Sequence, residues 1–141
     1  MQAFVLIMIK IESLQGLDTR LYQLVAPLVM NPRVLRYNNN YPFKTSKNFI
    51  WYVALSDNTP IGFIPVEIRD EKAILNNYYV AGDNLDLLSD LLKEIKAALG
   101  AHYVLEGVVQ TPHVKIFEEN GFNTIKEWKK YVKMEWSYGA A

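Results

Sequence analysis

The sequence predicts a single α/β domain with a largely antiparallel sheet and one parallel crossover. Half of the 141 residues are apolar, which is enough for one good core in a chain too short to suggest two domains. In the second half of the chain a helical pattern separates two strand patterns, and such a connection normally joins parallel strands in the right-handed sense. The last segment alternates in the manner of a hairpin.

The N-terminal third is predicted to contain a strand, a helix and a loop. Residues 4–11 are mostly β-branched or bulky, which favours a buried strand that closes at Ser13. Ser13 can then cap a helix over residues 14–28, where apolar side chains recur at helical spacing, and Asn31-Pro32 ends that run. Residues 37–43 are rich in aromatic and amide side chains and predict an exposed loop.

Three runs of strand character follow and predict an antiparallel meander. They cover residues 49–55, 61–69 and 72–80, and turn-forming residues separate them. Pro65, inside the second run, has no backbone donor, so it predicts a bulge or an edge at that point.

The final third predicts a helix, a strand, a second helix and the hairpin. Leucine and isoleucine form one stripe over residues 85–99, which Asn84 or Asp83 caps and Gly100 ends. The later elements are a strand over 102–109, a helix from Thr111-Pro112 to Asn120-Gly121, and a hairpin over 122–136.

Composition excludes several classes of function. The formal net charge is zero and no dense basic face is visible, which argues against nucleic acid as a partner. The absence of cysteine excludes disulfide frameworks, thiolate zinc sites and cysteine nucleophiles. His102 and His113 lie far apart without a spaced carboxylate partner, so no metal site is predicted.

The first residues form a short apolar run that Lys10 and Glu12 interrupt. No basic region precedes this run and no small-residue cleavage site follows it, so it is typical of a strand rather than a signal peptide. No stretch approaches the roughly 20 apolar residues that cross a bilayer. We therefore expect a cytoplasmic protein that does not associate with a membrane.

Two local patterns sharpen the fold prediction. Residues 51–63 form a hairpin pattern whose turn is followed by an apolar residue and a glycine, Ile61-Gly62. Residues 110–122 form a helix pattern that closes with Gly121-Phe122. Together with the element order, these patterns resemble the GNAT acyltransferase superfamily over essentially the whole chain. The resemblance implies a mixed sheet of about seven strands, mostly antiparallel, with one splayed parallel pair and flanking helices.

The resemblance also implies that an acyl group is transferred from a coenzyme A thioester, such as acetyl-CoA, to an amine. The pantetheine would lie between the splayed strands, here residues 72–80 and 102–109. The pyrophosphate would rest on the backbone amides that begin the next helix, where the helix dipole is positive. The implied cofactor-binding residues are Tyr79, Val80, Ala81, Gly82, Asp83, Asn84, Leu85, Gln110 and Phe117.

The sequence departs from the family pattern at several positions. The phosphate loop of relatives usually has Arg or Gln followed by two spaced glycines, whereas the corresponding loop here has one glycine and no arginine. Asp83, Asp86 and Asp90 add negative charge, which repels phosphate, although acids in a first turn also stabilise a helix. Phe117 stands where many relatives have a tyrosine that protonates the leaving thiolate, and Gln110 replaces their asparagine.

Catalytic groups must come from other positions, because the usual carboxylate base is also missing. Tyr78 and Tyr79 point to opposite faces of their strand, so one should face the cleft and supply an acid, a core aromatic being the alternative. Glu67 and Glu106 are candidate bases acting through a water, or else solvated strand residues. His113, in the first turn of the last helix, is either an acid or base near neutral pH or a surface residue.

Residues 37–43 lie where relatives bind the acceptor, and their side chains suit a small-molecule or peptide amine; a loop that packs on the core is the alternative. The sequence thus predicts an N-acetyltransferase of the GNAT type. The rival interpretation is a catalytically inactive GNAT-fold binding or assembly module, which exposed Trp128, Tyr131 and Trp136 would favour as a homodimer surface. An unrelated α/β ligand-binding domain is the third alternative.

Overall fold

The structure is a computed structural model that describes residues 8–139. Over this range the chain forms an eight-stranded sheet and four α-helices. In chain order the elements are β1 (Ile9–Gln15), α1 (Thr19–Val29), α2 (Pro32–Tyr37), β2 (Phe49–Ser56), β3 (Thr59–Arg69), β4 (Lys72–Leu75), β5 (Tyr79–Val80), α3 (Leu85–Leu99), β6 (Val104–Gln110), α4 (Val114–Glu119), β7 (Asn123–Glu127) and β8 (Tyr131–Trp136). Among the helices in this range, none combines the length and the apolar character needed to cross a membrane.

The sheet has the order β1-β2-β3-β4-β6-β8-β7, and β5 pairs separately with β3. Every described pairing is antiparallel except that of β4 with β6. Helix α3 connects the two parallel strands, as the sequence predicts. The prediction of a mixed, mostly antiparallel sheet with one parallel pair is therefore confirmed.

A bulge between β4 and β5 makes the parallel strands diverge. Val66 pairs with Leu75 and Phe63 pairs with Tyr79. Three residues along β3 therefore lie opposite four residues of the segment that runs from β4 to β5. Pro65 lies opposite this interruption, where its missing N–H leaves no ladder bond to break. β6 pairs with β4 as far as Gly107 and continues along β8 alone. Pro65 predicted a bulge or an edge, and the structure has the bulge; the two strands splay beyond it.

Helices cover both faces of the sheet. α3 and α4 pack on one face and form the first core cluster. α1 and α2 form the second cluster on the other face, together with Trp51 and Phe63. Residues along β2 alternate between the two, with Tyr52 and Ala54 in the first cluster and Val53 in the second. The site described below lies between these two cores, where the strands diverge.

The boundary between β1 and α1 differs from the prediction. β1 continues to Gln15, so Ser13 is a strand residue rather than a helix cap. Asp18 caps α1 instead, because its side chain accepts a hydrogen bond from Arg20 N at 2.9 Å. The first part of the predicted strand, residues 4–7, lies outside the described residues.

Two short helical segments also differ in detail. Asn31-Pro32 ends the first helical run as predicted, but it also begins α2, which sequence periodicity does not indicate. Asn31 accepts a hydrogen bond from Arg33 N at 2.9 Å, and proline occupies the first helical position. The last helical segment begins with a single turn of 3-10 helix, Thr111–His113. The Thr111 hydroxyl does not cap this turn.

Candidate functional site

Hydrogen-bonded side chains cross the space between the end of β5 and the start of α4. The Tyr78 hydroxyl lies 2.7 Å from His113 Nδ1 and accepts a hydrogen bond from Gln110 N at 3.0 Å. His113 Nε2 lies 2.8 Å from Asp83 Oδ1, and the Tyr37 hydroxyl donates to the same oxygen at 2.9 Å. We call these five residues (Tyr37, Tyr78, Asp83, Gln110 and His113) the polar chain.

The hydrogen-bond partners determine which atom donates and which accepts at each contact of the polar chain. A carboxylate only accepts, so His113 Nε2 donates to Asp83, and His113 Nδ1 can then accept the proton of the Tyr78 hydroxyl. Tyr78 in turn accepts from the Gln110 N–H. Throughout residues 8–139, each buried side-chain nitrogen or oxygen has a hydrogen-bond partner. The polar chain is thus a closed network that leaves none of its buried polar atoms unpaired.

The centre of the polar chain is buried, and its outer end reaches solvent. Tyr78 is 1% exposed and His113 is 4% exposed, whereas the Asp83 side chain is 57% exposed. Burial raises the pKa of the Tyr78 phenol, although the Gln110 N–H acts in the opposite direction. Burial, followed by the hydrogen bond to Asp83, raises the pKa of the Tyr37 phenol. Both hydroxyls therefore keep their protons at neutral pH.

The bulge determines which tyrosine enters the polar chain. Asn77, inside the bulge, has a φ of 56°. Tyr78 packs in the first core cluster beside α3 and α4, whereas Tyr79 packs against the second cluster. The Tyr79 ring meets the Tyr37 ring edge-on, with centroids 5.2 Å apart. The two tyrosines therefore face opposite sides, as predicted, and Tyr78 is the one between the diverging strands.

A tight turn places Asp83 beside His113 and Tyr37. Gly82 and Asp83 have φ values of 64° and 51°, in the left-handed region that glycine and short polar residues tolerate best. Asn84 then caps α3 by accepting a hydrogen bond from Leu87 N at 3.1 Å. The turn thus brings the Asp83 carboxylate from the start of α3 to the start of α4.

Residues 37–39 cover the open end of the diverging strands, and we call them the bridging segment. Each of its residues is hydrogen-bonded to a different part of the sheet. Gln110 Nε2 donates to Tyr37 O at 2.9 Å, Asn38 Nδ2 donates to Asn77 Oδ1 at 3.0 Å, and Asn39 Nδ2 donates to the Tyr131 hydroxyl at 2.8 Å. The loop predicted to bind an acceptor therefore begins by tying the bulge, β6 and β8 together.

A groove runs along the same divergence, next to the bridging segment. It consists of two adjoining cavities of about 380 and 220 Å³. Lys44, Asn76, Asn77 and Val108 line both cavities. The larger cavity is also lined by Tyr41, Pro42 and Tyr131, and the smaller one by Phe49, Glu67, Arg69, Ile74 and Glu106.

Both predicted bases lie at the groove, and both are in ion pairs. Glu67 Oε1 lies 2.9 Å from an Arg69 guanidinium nitrogen. Glu106 Oε1 lies 3.2 Å from both Lys72 Nζ and Lys133 Nζ, and the residue is buried rather than solvated. The described residues contain no cluster of His, Asp and Glu that could hold a metal ion.

The implied acyl-CoA site has one end that fits the cofactor and one that does not. At the loop, a side chain built on Gly82 would meet no atom within 4 Å, so the backbone is open to a ligand there. Between the diverging strands, the buried rings of Tyr78 and His113 occupy the path expected for pantetheine. The residues as arranged do not fit pantetheine, and they would have to move to admit it.

Three other predicted site residues are buried. Phe117 is fully buried in the first core cluster, with its ring centroid 5.8 Å from that of Tyr78 and 5.2 Å from that of Phe122. Val80 is likewise buried. His113 is buried, so the alternative of a surface position is wrong. Its burial depends on partners distant in sequence, which no local pattern indicates.

The sheet with one diverging parallel pair, whose strands α3 connects, has the GNAT architecture, as the comparisons show. No protein-family model and no curated protein matches the chain, but solved structures do. ElaA from Escherichia coli matches with a TM-score of 0.71 at 12% identity, over 91% of this chain and 99% of that chain. An acyl-CoA N-acyltransferase from Pseudomonas aeruginosa matches with 0.70 at 12% identity, over the same 91% and 99%. PaiA N-acetyltransferase from Thermoplasma acidophilum, in complex with coenzyme A, matches with 0.63 at 16% identity, over 93% and 99%.

These likenesses establish the architecture. Because the identities are 12% to 16%, they concern the fold, and the roles of individual side chains rest on this chain's own geometry.

Proposed function

We propose that this protein is an acyl-CoA-dependent N-acyltransferase that acts on the amine of a small molecule or peptide. The observation that supports this best is the position of the Tyr78 hydroxyl, which lies between the diverging strands with partners on β6 and on the turn that precedes α4. Phe117 cannot supply the hydroxyl that many relatives use, and the Tyr78 ring lies beside it. Tyr78 thus offers a substitute hydroxyl close to the missing one.

The groove is the proposed acceptor site. An acyl-CoA would supply an activated acyl group, and the chain's own residues would hold the amine near it. Glu67 is the preferred base, because its side chain is 23% exposed against 11% for Glu106. The carboxamides of Asn76 and Asn77, together with the aromatic ring of Tyr41, suit a small polar or peptidic molecule.

A second candidate function is a GNAT-fold binding or assembly module without acyl transfer. The filled gap between the strands favours this alternative, because Tyr78 and His113 already satisfy each other there. The raised pKa of Tyr78 favours it too, since burial makes the phenol a reluctant proton donor. In this case the groove would bind a ligand without catalysing a reaction on it.

Titration with acetyl-CoA separates the two candidates. Calorimetry and thermal shift should show binding, and a ligand at about 100 times its Kd stabilises the folded chain by about 2.7 kcal/mol. Coenzyme A release in the presence of an amine panel is then followed with a thiol reagent. This assay has no protein background, because the chain has no cysteine.

The Tyr78→Phe variant tests the supporting observation directly. It should lower the rate of coenzyme A release, whereas Tyr52→Phe, which removes a hydroxyl from another tyrosine of the same core cluster, should leave that rate unchanged. Absence of any stabilisation at millimolar acetyl-CoA would exclude the acyltransferase and leave the binding module.

A further inference from the structure

We propose that the groove recognises a small molecule by its carboxylate, and that Lys44, Asn76 and Asn77 bind this group. The ligand class is the amino acids, in which the carboxylate lies beside the amine that the proposed function requires. The inference rests on one part of the proposed function, the groove as the acceptor site. It needs no bound acyl-CoA, because both cavities of the groove are present in the structure as it stands.

Four residues line both cavities, and we call them the shared wall: Lys44, Asn76, Asn77 and Val108. Because Val108 is apolar, the polar groups of the shared wall are one ammonium and two carboxamides. An ammonium only donates hydrogen bonds, whereas a carboxamide has an oxygen that accepts and a nitrogen that donates. What the shared wall offers a ligand therefore depends on which carboxamide atoms the protein already uses.

The protein uses the oxygen atom of each carboxamide. Asn76 Oδ1 accepts the backbone N–H of Asn77 at 2.8 Å, which determines the orientation of the Asn76 side chain. Asn38 Nδ2 donates to Tyr41 O at 3.0 Å, and the same nitrogen donates to Asn77 Oδ1 at 3.0 Å. Backbone groups thus determine both orientations, because an N–H can only donate and a carbonyl can only accept.

The remaining polar atoms of the shared wall are donors. Within the described part of the chain, Asn76 Nδ2 and Asn77 Nδ2 donate no hydrogen bond and Lys44 forms no ion pair. Glu67 and Glu106, the acids at the groove, already have cationic partners, so neither cancels the charge of Lys44. One ammonium and two amide nitrogens on the same wall suit an anionic acceptor, because hydrogen bonds to an ionised group are about twice as strong as neutral ones.

The rest of the larger cavity suits the apolar part of an amino acid. Tyr41 and Tyr131 line it with ring centroids 6.4 Å apart, and Pro42 lines the same cavity. Aromatic and apolar walls with a few polar groups are typical of sites for small organic ligands. The volume of about 380 Å³ is at the low end of the roughly 300–1,000 Å³ of such sites. It therefore favours a ligand of the size of an amino acid over a larger molecule.

Three variants and one control test the shared wall. Lys44→Met removes the charge and keeps an unbranched side chain. Asn76→Asp and Asn77→Asp each replace the donor nitrogen by an oxygen that repels a carboxylate, while the other oxygen still accepts the existing hydrogen bond. Lys47→Met is the matched control, because Lys47 is an exposed lysine of the same loop that lines neither cavity.

The experiment uses the full chain, and circular dichroism verifies that each variant is folded. A thermal-shift screen of the common L-amino acids selects the best binder. Calorimetry then measures its Kd and the Kd of its amide, which keeps the amine and the side chain but lacks the carboxylate. The amino acid should bind at least about tenfold more tightly than its amide, and Lys44→Met should weaken its binding about tenfold. Both Asp variants should weaken binding at least as much, and Lys47→Met should stay within about twofold of wild type.

Several results would overturn the inference. Equal affinity for the amino acid and its amide means that the carboxylate is not recognised. Equal losses in Lys44→Met and Lys47→Met mean that only long-range charge matters. Displacement of the amino acid by an equal concentration of inorganic phosphate indicates a general anion site instead of a carboxylate site. The inference also fails if none of the amino acids binds at millimolar concentration.

The proposed function is tested separately, by coenzyme A release from acetyl-CoA in the presence of amines. Release with amines that lack a carboxylate, at a rate that Lys44→Met does not change, overturns the inference and leaves the proposed function intact. Carboxylate-dependent binding of an amino acid without any coenzyme A release supports the inference, while the acyltransferase fails and the binding module remains.

Discussion

Replacing Tyr78 by phenylalanine removes one hydroxyl from the centre of the polar chain and leaves the ring in place. That hydroxyl is the hydrogen-bond partner of both Gln110 N and His113 Nδ1. Because Tyr78 and His113 are both almost fully buried, solvent does not reach His113 Nδ1 to replace the hydroxyl. The substitution therefore leaves one donor and one acceptor without a protein partner.

The expected loss follows from these two groups. A buried polar group that loses its partner destabilises the folded state by about 1–3 kcal/mol. Gln110 is only half-buried and recovers part of its bond with water, so we expect a total loss of about 2–4 kcal/mol. At about 4 °C per kcal/mol for a chain of this size, the melting temperature should fall by roughly 8–16 °C.

Urea unfolding followed by circular dichroism measures this loss. Tyr79→Phe is the matched control, because it makes the same chemical change at the next residue, outside the polar chain. We expect the control to stay within about 0.5 kcal/mol of wild type. A Tyr78→Phe variant as stable as the control would refute the hydrogen-bond network on which the site rests.

Two further predictions concern stability. The folded-state pKa values of Tyr37 and Tyr78 are raised. Their contribution to the free energy of unfolding is therefore complete below the unfolded pKa of about 10 and is lost as the pH rises above it. Unfolding measured across this pH range should show the loss, and an equally steep loss in Tyr78→Phe would contradict it. Gly107→Ala should lower the free energy of unfolding by about 1–3 kcal/mol through overpacking. The added Cβ would lie 3.0 Å from Val109 Cγ2 and 3.2 Å from Phe117 Cε2. An unchanged denaturation midpoint would show that the neighbouring side chains move to make room for it.

Long periodic elements were predictable from the sequence. The stripe over residues 85–99 gives α3 its bounds, and the helix between two strand patterns gives the parallel pair. Pro65 indicated the bulge that makes the strands diverge. Each of these features has a signal in residues close together in sequence, so local patterns predict it even where the strands that finally pair lie far apart.

Helix α2 is an element that the sequence patterns did not predict. Its start, Asn31-Pro32, has the same kind of signal as Thr111-Pro112, a polar residue before a proline that can occupy a first helical position. A helix of six residues has less than two turns, which is too few for a hydrophobic stripe. The bridging segment at its end therefore did not appear in the prediction.

The polar chain was only partly predictable for a related reason. Tyr78 and His113 were candidates, but their contact joins residues 35 positions apart, and the contact of His113 with Asp83 spans 30. Such pairs depend on how the two cores meet. Strand alternation predicted that one tyrosine enters the cleft, and only the bulge decides that it is Tyr78.

The short parallel pairing also has a consequence for the order of folding. β2, β3 and β4 form a meander of neighbouring strands, whereas β4 can meet β6 only after the chain has closed a loop that contains all of α3. Closing a longer loop costs more entropy, and distant pairings form more slowly. In a pulse-labelling hydrogen-exchange experiment, amides of the meander should therefore gain protection before those of Val104–Gln110. The cleft would then be the last part of the molecule to assemble and the first to open when stability falls.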